Sequence, residues 1–435
     1  MQKLKRALGL FEVSVYGIGL ILGAGIYALI GEAAGVAGNS LWMSFVFAAI
    51  IASFTGLSYA ELSSLFPKSA AEYVYVEKAF KRRSLSFVIG WMTIFTGLFS
   101  SATVALGFGG YFSSLMSSLS NVPILFGAVL LIILMSLLNF YGIEQSSKAN
   151  ILFTAIEAFG LFFIIFLGLG HLGSVNYLDM PFGFSGIFTA AALIFFAYLG
   201  FEDIANIAEE TKNPRKTLPK AMIISIFATT LIYILVSLSV VSILPWNELA
   251  QSSAPLADVA SRALPGSSNF LSAVALFATA NTVLIMLIVT ARMLYGMAND
   301  GALPKILSKV HRKRRTPWIS VAITMVFVLF FTIAVGNIRS VAEIANFGVL
   351  LVFVTVNTCL IYFRYSEPTL KREFKVPINI GKFPVLPLLG IIFSLFLMSH
   401  FKLITIVSGI CFVMLGFVVF KLLEHFRASR VERQE

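Results

Sequence analysis

The sequence predicts an all-α integral membrane protein. It reads as twelve transmembrane helices, with a 5+5 inverted repeat, broken helices 1 and 6, and two peripheral helices. Three observations lead there. The 435 residues are 58% hydrophobic and only 12% charged, whereas a soluble domain carries about 25% charged residues. Many apolar runs reach or exceed the ~20 residues that span a bilayer. Two of those runs, the first and the sixth, are interrupted at matching places, a pattern that points to a transporter's binding site.

The spans are expected at 11–37, 40–66, 84–119, 122–141, 146–170, 184–209, 219–244, 267–300, 316–335, 339–364, 383–400 and 403–425. The opening MQKLKRA resembles the start of a signal peptide. The apolar stretch after it is too long and lacks a clear cleavage site, so it reads as a retained first span. The third member of each set, 84–119 and 267–300, would reach roughly 50 Å at 1.5 Å per residue, so both must tilt or project. An odd number of spans per set forces opposite orientations. The chain therefore divides into a first repeat (1–170), a second repeat (184–364), and spans 11 and 12 with a tail (383–435).

Charge sets the orientation. Only Arg262, Arg339 and Lys402 fall in the loops that would be outside if the N-terminus is cytoplasmic. The positive-inside bias then places both termini in the cytoplasm of a cell whose plasma membrane the chain crosses. The net charge of +11 is concentrated in inner loops such as KVHRKRR at 309–315. It reads as topology and contact with anionic lipid, with no nucleic-acid partner. Two cysteines and four histidines suggest no disulfide framework, no metal cluster and no cofactor. The spans carry no nucleophile–base pair for an enzyme, and no charge ring or carbonyl filter for a channel. No P-loop is evident, so ATP is not the direct energy source.

The first interruption is GIGLILGAGIY at 17–27, with glycines at 17, 19, 23 and 25. Glycine costs roughly 1 kcal/mol relative to alanine inside a helix. A break at Gly23–Gly25 lies near mid-membrane. Its freed backbone groups must face protein or a watery cavity, because in lipid each would cost several kcal/mol. The half-helix starting near Gly25 would aim its N–H groups at an anion such as a carboxylate, and free carbonyls opposite suit an ammonium. Close helix packing of the small-xxx-small type also fits Gly19 and Gly23. The second interruption, FAYLGFED at 196–203, carries Glu202, an intramembrane carboxylate whose default reading is functional. Its alternative role is to cap the following half-helix. Phe196 is the aromatic expected to wall the pocket. Glu157 and Arg292 also fall within spans; Arg292 can snorkel or pair with an acid. Thr279 and Thr282 could line an ion-like site opposite Gly19, or bond back to their own helix.

These residues resemble the amino acid–polyamine–organocation transporter family, with the leucine-transporter fold, over essentially the whole chain. GLILGAGIY at 19–27, YAELSSLFP at 59–67 followed by EYVY, and ARMLYGMANDGALP at 291–304 carry the resemblance. The most specific piece is LIFFAYLGFEDIANIAEETKNPRKTLPKA at 193–221, which leans toward the cationic amino acid transporter branch. The resemblance implies a substrate carboxylate at Gly23, Ala24, Gly25 and Ile26, with its ammonium at carbonyls near Ile21, Phe196 and Leu199, beside Gly200 and Glu202. It implies a secondary transporter of amino acids, a proton-coupled symporter with broad selectivity, the alternative being an amino acid/polyamine exchanger. Partners are then an amino acid, protons and the lipid bilayer. Two departures stand out. The family often has two glycines where this chain has Ala70 and Ala71. Several proton-coupled relatives place a lysine at mid-height on span 5, where the reading here is Glu157–Ala158; the candidates for coupling are Ala158, Gly19, Glu157, Thr279 and Thr282.

Overall fold

The computed structural model describes residues 3–116, 123–252, 254–334, 338–399, 401 and 403–431. Its helices run in chain order: α1 (Leu10–Leu22), α2 (Ala24–Ala37), α3 (Leu41–Leu65), α4 (Ala71–Phe80), α5 (Arg83–Met116), α6 (Ile124–Tyr141), α7 (Ile143–Leu169) and α8 (Gly183–Ile194). After two 3₁₀ turns follow α9 (Pro214–Ile243), α10 (Trp246–Leu249), α11 (Pro255–Ala263), α12 (Ser268–Asn299), α13 (Trp318–Ala334), α14 (Ile338–Ser366), α15 (Val385–Ser399) and α16 (Leu403–Val431). Among the described residues, ten helical segments are long and apolar enough to cross a bilayer, and α13 and α15 are shorter apolar helices. Every expected span has helix at its place. Residues 117–119, 122, 335, 400 and 402 of that reading lie outside the described residues.

The surface confirms a lipid-facing exterior. Phe166, Phe227 and Leu403 are 69%, 72% and 75% exposed, and no aqueous protein keeps so many large apolar side chains in water. The interior instead holds polar groups such as Glu61, Glu157, Asn206 and Arg292, each fully buried. The two cysteines divide: Cys359 is buried and Cys411 is exposed on α16.

The long helices α5 and α12 pack along one another, as do α3 and α9. The end of the sixth span at Glu210 is tied down by the chain's beginning. Ala7 and Leu8 donate their N–H groups to the carbonyl of Glu210, and the Lys212 N–H donates to that of Leu8. A small ladder pairs 379–380 with 383–384 immediately before α15.

Candidate functional site

Both interruptions are present. The first span is two helices, α1 and α2, that meet at Gly23, whose φ of −40° and ψ of −155° leave the helical region. No side chain caps the first turn of α2, so the N–H groups of Ala24, Gly25 and Ile26 have no intrahelical partner. The sixth span ends α8 at Ile194, makes a 3₁₀ turn over Phe195–Tyr198, and is extended at Leu199. It turns through Gly200 at φ +122°, then resumes as 3₁₀ helix over Glu202–Glu210. Gly200 is the position in this break that requires glycine, since other residues rarely adopt that φ.

The two breaks face each other. A Cβ built on Gly25 would lie 2.8 Å from the Ala197 Cα, so backbone approaches backbone there. Tyr233 of α9 fixes the arrangement. Its hydroxyl donates to the carbonyl of Ile21 in the first break and to that of Ala197, at 3.1 Å, in the second. Sequence reasoning missed Tyr233, because nothing local marks a tyrosine on an apolar span as a bridge. Two of the carbonyls expected to be free are thus engaged: Ile21 accepts from Tyr233, and Phe196 accepts from the Leu199 N–H at 3.2 Å. Each carbonyl keeps a second lone pair. Tyr233→Phe leaves both carbonyls without this donor. It should cost about 1–3 kcal/mol, seen as a lower melting temperature in detergent; an unchanged melt would show the bridge to be dispensable.

Between the breaks lies a cavity of about 90 Å³, bordered by Ala24, Gly25, Phe196, Leu199 and Glu202. At about 10–15 Å³ per water-sized particle, it has room for a small organic molecule. Phe196 is 36% exposed, as a pocket wall would be. Glu202 accepts the Gly200 N–H at 2.8 Å, so it does cap the turn, yet it also borders the cavity.

The ion-like region opposite Gly19 is polar but internally satisfied in part. Thr279 and Thr282 bond back to the carbonyls of Ala275 and Ala278, as their alternative reading held. A Cβ on Gly19 would meet Thr154, Asn281 and Asn150, and one on Gly23 would meet Thr282. Asn150 donates to Asn281 at 2.9 Å, and Asn281 to Thr154 at 3.0 Å. One turn along α7, Glu157 is fully buried, and neither carboxylate oxygen has a hydrogen-bond partner among the described residues. Ala158 beside it is half-buried. Glu157, not Ala158, is therefore the member of the pair turned into the bundle.

Arg292 does not snorkel. Its guanidinium grips Glu210 with two hydrogen bonds, at 2.9 and 3.0 Å, and donates to Asn139 at 2.7 Å. A second buried network joins Glu61 to Arg364 at 2.6 Å and to Arg372 at 2.9 Å. Both networks lie on the side that the charge bias assigns to the cytoplasm.

A lipid-embedded helical bundle with a small-molecule cavity between two facing helix breaks defines a membrane transporter. The chain matches the amino acid permease family over residues 8–420. It is 33% identical to the branched-chain amino acid permease BcaP of Bacillus subtilis, over 96% of this chain and 93% of that one. It is 28% identical to the methylthioribose transporter of the same organism, with the same coverage. It is 31% identical to human cationic amino acid transporter 4, over 84% of this chain and 60% of that one. The chain belongs to the amino acid permease family, within the amino acid–polyamine–organocation transporters and near their cationic amino acid branch. It is a permease and not an enzyme.

Proposed function

We propose that the protein is a secondary transporter of amino acids, a proton-coupled symporter of broad selectivity working by alternating access around the cavity between spans 1 and 6. The observation that carries this reading is the pair of facing breaks. The open N–H groups of Ala24, Gly25 and Ile26 offer fixed donors to a carboxylate. The remaining lone pairs of the Ile21 and Phe196 carbonyls, with the Leu199 carbonyl, offer acceptors to an ammonium. Both charges of a zwitterion are then met by backbone dipoles, which are indifferent to the side chain. The packing of α3 on α9 and of α5 on α12 joins like-numbered members of two five-span sets, which supports an inverted repeat within twelve crossings. The charge bias supports a plasma-membrane protein with cytoplasmic termini.

Within this reading Glu157 is the proton carrier. A carboxylate with no donor and no cation in a buried site is strongly disfavoured. Protonation neutralises it beside the Asn150–Thr154–Asn281 cluster that touches the first span. The test is uptake of a panel of labelled amino acids into proteoliposomes, with imposed proton or sodium gradients. Concentrative uptake under an inward proton gradient is expected in the parent. In Glu157→Gln it should fall to simple equilibration while exchange persists. Proton-driven accumulation by Glu157→Gln would overturn the assignment. Uptake that occurs only into preloaded vesicles would identify an exchanger instead.

A further inference from the structure

The inner end of the cavity holds three carboxylates that the proposed binding of an amino acid by backbone dipoles leaves unassigned. Glu202 and Asp203, at the start of the inner half of span 6, and Glu72, on α4, all border the cavity. All three are buried, and no basic side chain pairs with any of them among the described residues. Asp203 is only 7% exposed and borders the cavity; its backbone N–H donates to the Gly200 carbonyl, but its carboxylate makes no hydrogen bond among the described residues. The guanidinium of Arg292 is committed to Glu210. Among the described residues, the other titratable groups facing the cluster are tyrosines: Tyr59 from α3, Tyr75 from α4, and Tyr16 from α1.

The backbone that carries Glu72 is laid across span 6. The Ser69 N–H donates to Glu209 at 3.3 Å, and the Ala71 N–H donates to the Asn206 side-chain oxygen at 2.9 Å. The amide nitrogen of Asn206 donates to both oxygens of Glu72, at 3.4 and 3.2 Å. Asn206 thus caps the first turn of α4 and holds its acid at once. The segment is strained where it turns. Ala70 sits at φ +57°, ψ +51°, a left-handed conformation that costs a residue with a Cβ about 1–2 kcal/mol.

We propose that residues 69–72 form an inner latch across span 6, and that Glu72, Glu202 and Asp203 together form the proton-binding site that closes it. Carboxylates sharing one buried site cannot all ionise, because their repulsion is weakly screened there. With a proton on the cluster, Glu72 stays against Asn206 and the latch is shut. With the proton lost, repulsion from Glu202 and Asp203 drives Glu72 outward, the strain at Ala70 is relieved, and water enters the cavity's inner end. Burial pushes the Glu72 carboxyl above its usual range, against the bonds from Asn206. A group whose value is raised in the closed state favours closure at low pH, and loses that contribution as pH rises through the raised value. Closure is therefore an acid-side property. The latch goes beyond the transport reading: it concerns when the inner side opens, and Glu157 takes no part in it.

The experiment is hydrogen exchange of the Ser69 and Ala71 amides in the purified full chain, corrected for intrinsic pH dependence, with uptake measured in parallel. In the parent, protection should fall about tenfold per pH unit across the transition, as one linked proton requires. Glu72→Gln should stay protected at every pH, bind amino acid and fail to turn over. Asp203→Asn removes one repelling charge and should keep the segment protected to higher pH than in the parent, so it serves if Glu72→Gln does not fold. The proposal is overturned if protection in the parent is independent of pH, or if Glu72→Gln keeps the parental pH dependence. It is also overturned if added lysine or putrescine, and not acid, closes the segment, since the cluster would then hold an ammonium. Failure of every amino acid to be transported would refute the transport reading while leaving the exchange result to judge the latch.

Discussion

Replacing Arg292 with methionine lowers the stability of the folded protein by about 3–5 kcal/mol, the cost of leaving one partner of a buried ion pair uncompensated. Arg292 and Glu210 are 0% and 1% exposed, and the pair is bidentate with Asn139 as a third member. Once the guanidinium is gone, the Glu210 carboxylate has neither water nor a cation. Glu210 also stands where the chain's beginning is tied down, since its carbonyl accepts the Ala7 and Leu8 N–H groups. The loss should loosen the N-terminal segment as well. Thermal melting in detergent measures the effect. The double variant Arg292→Met, Glu210→Gln should recover a large part of it, because no charge is then stranded. A single variant within about 1 kcal/mol of the parent would mean that water reaches the pair.

Gly25→Leu abolishes amino acid binding while leaving a protein that inserts into the membrane. The first carbon added at Gly25 would stand 2.8 Å from the Ala197 Cα and 3.0 Å from its Cβ, distances that backbone cannot accept without moving. The remaining carbons of leucine force the two breaks further apart. Overpacking of this kind costs roughly 1–3 kcal/mol, which a large helical bundle survives. The proposed carboxylate site should not survive, because its donors belong to the very turn displaced. The readout is the rise in melting temperature on adding amino acid, which should vanish in Gly25→Leu and be reduced in Gly25→Ala. Parental uptake by Gly25→Leu would show that the glycine serves packing alone.

Much of the fold is legible in the sequence because a bilayer leaves few options. A spanning segment must satisfy its own backbone, so an apolar run of sufficient length is a helix, and α5, α9 and α12 fall where the hydropathy places them. The breaks at Gly23 and Gly200 are legible for the same reason: glycine in mid-membrane is costly unless the backbone does something unusual. The facing of individual side chains is less legible. Helices apolar on nearly every side give a weak periodic signal, and adjacent positions such as Glu157 and Ala158 cannot be told apart by depth alone.

The sequence by itself determined that this is a membrane protein, where its helices lie, that two of them are broken, and which family it belongs to. Those properties follow from local composition and from short contiguous motifs. Only the tertiary structure decided the partners. Arg292 finds Glu210 across 82 positions, Glu61 finds Arg364 across 303, and Tyr233 reaches Ile21 across 212. It also decided that, among the described residues, neither oxygen of the Glu157 carboxylate has a hydrogen-bond partner, while Asn206 gathers Glu72 and Ala71. A pairing between distant residues depends on how helices tilt and rotate against one another, and that is set by the packing of the whole bundle, which no single stretch of sequence encodes.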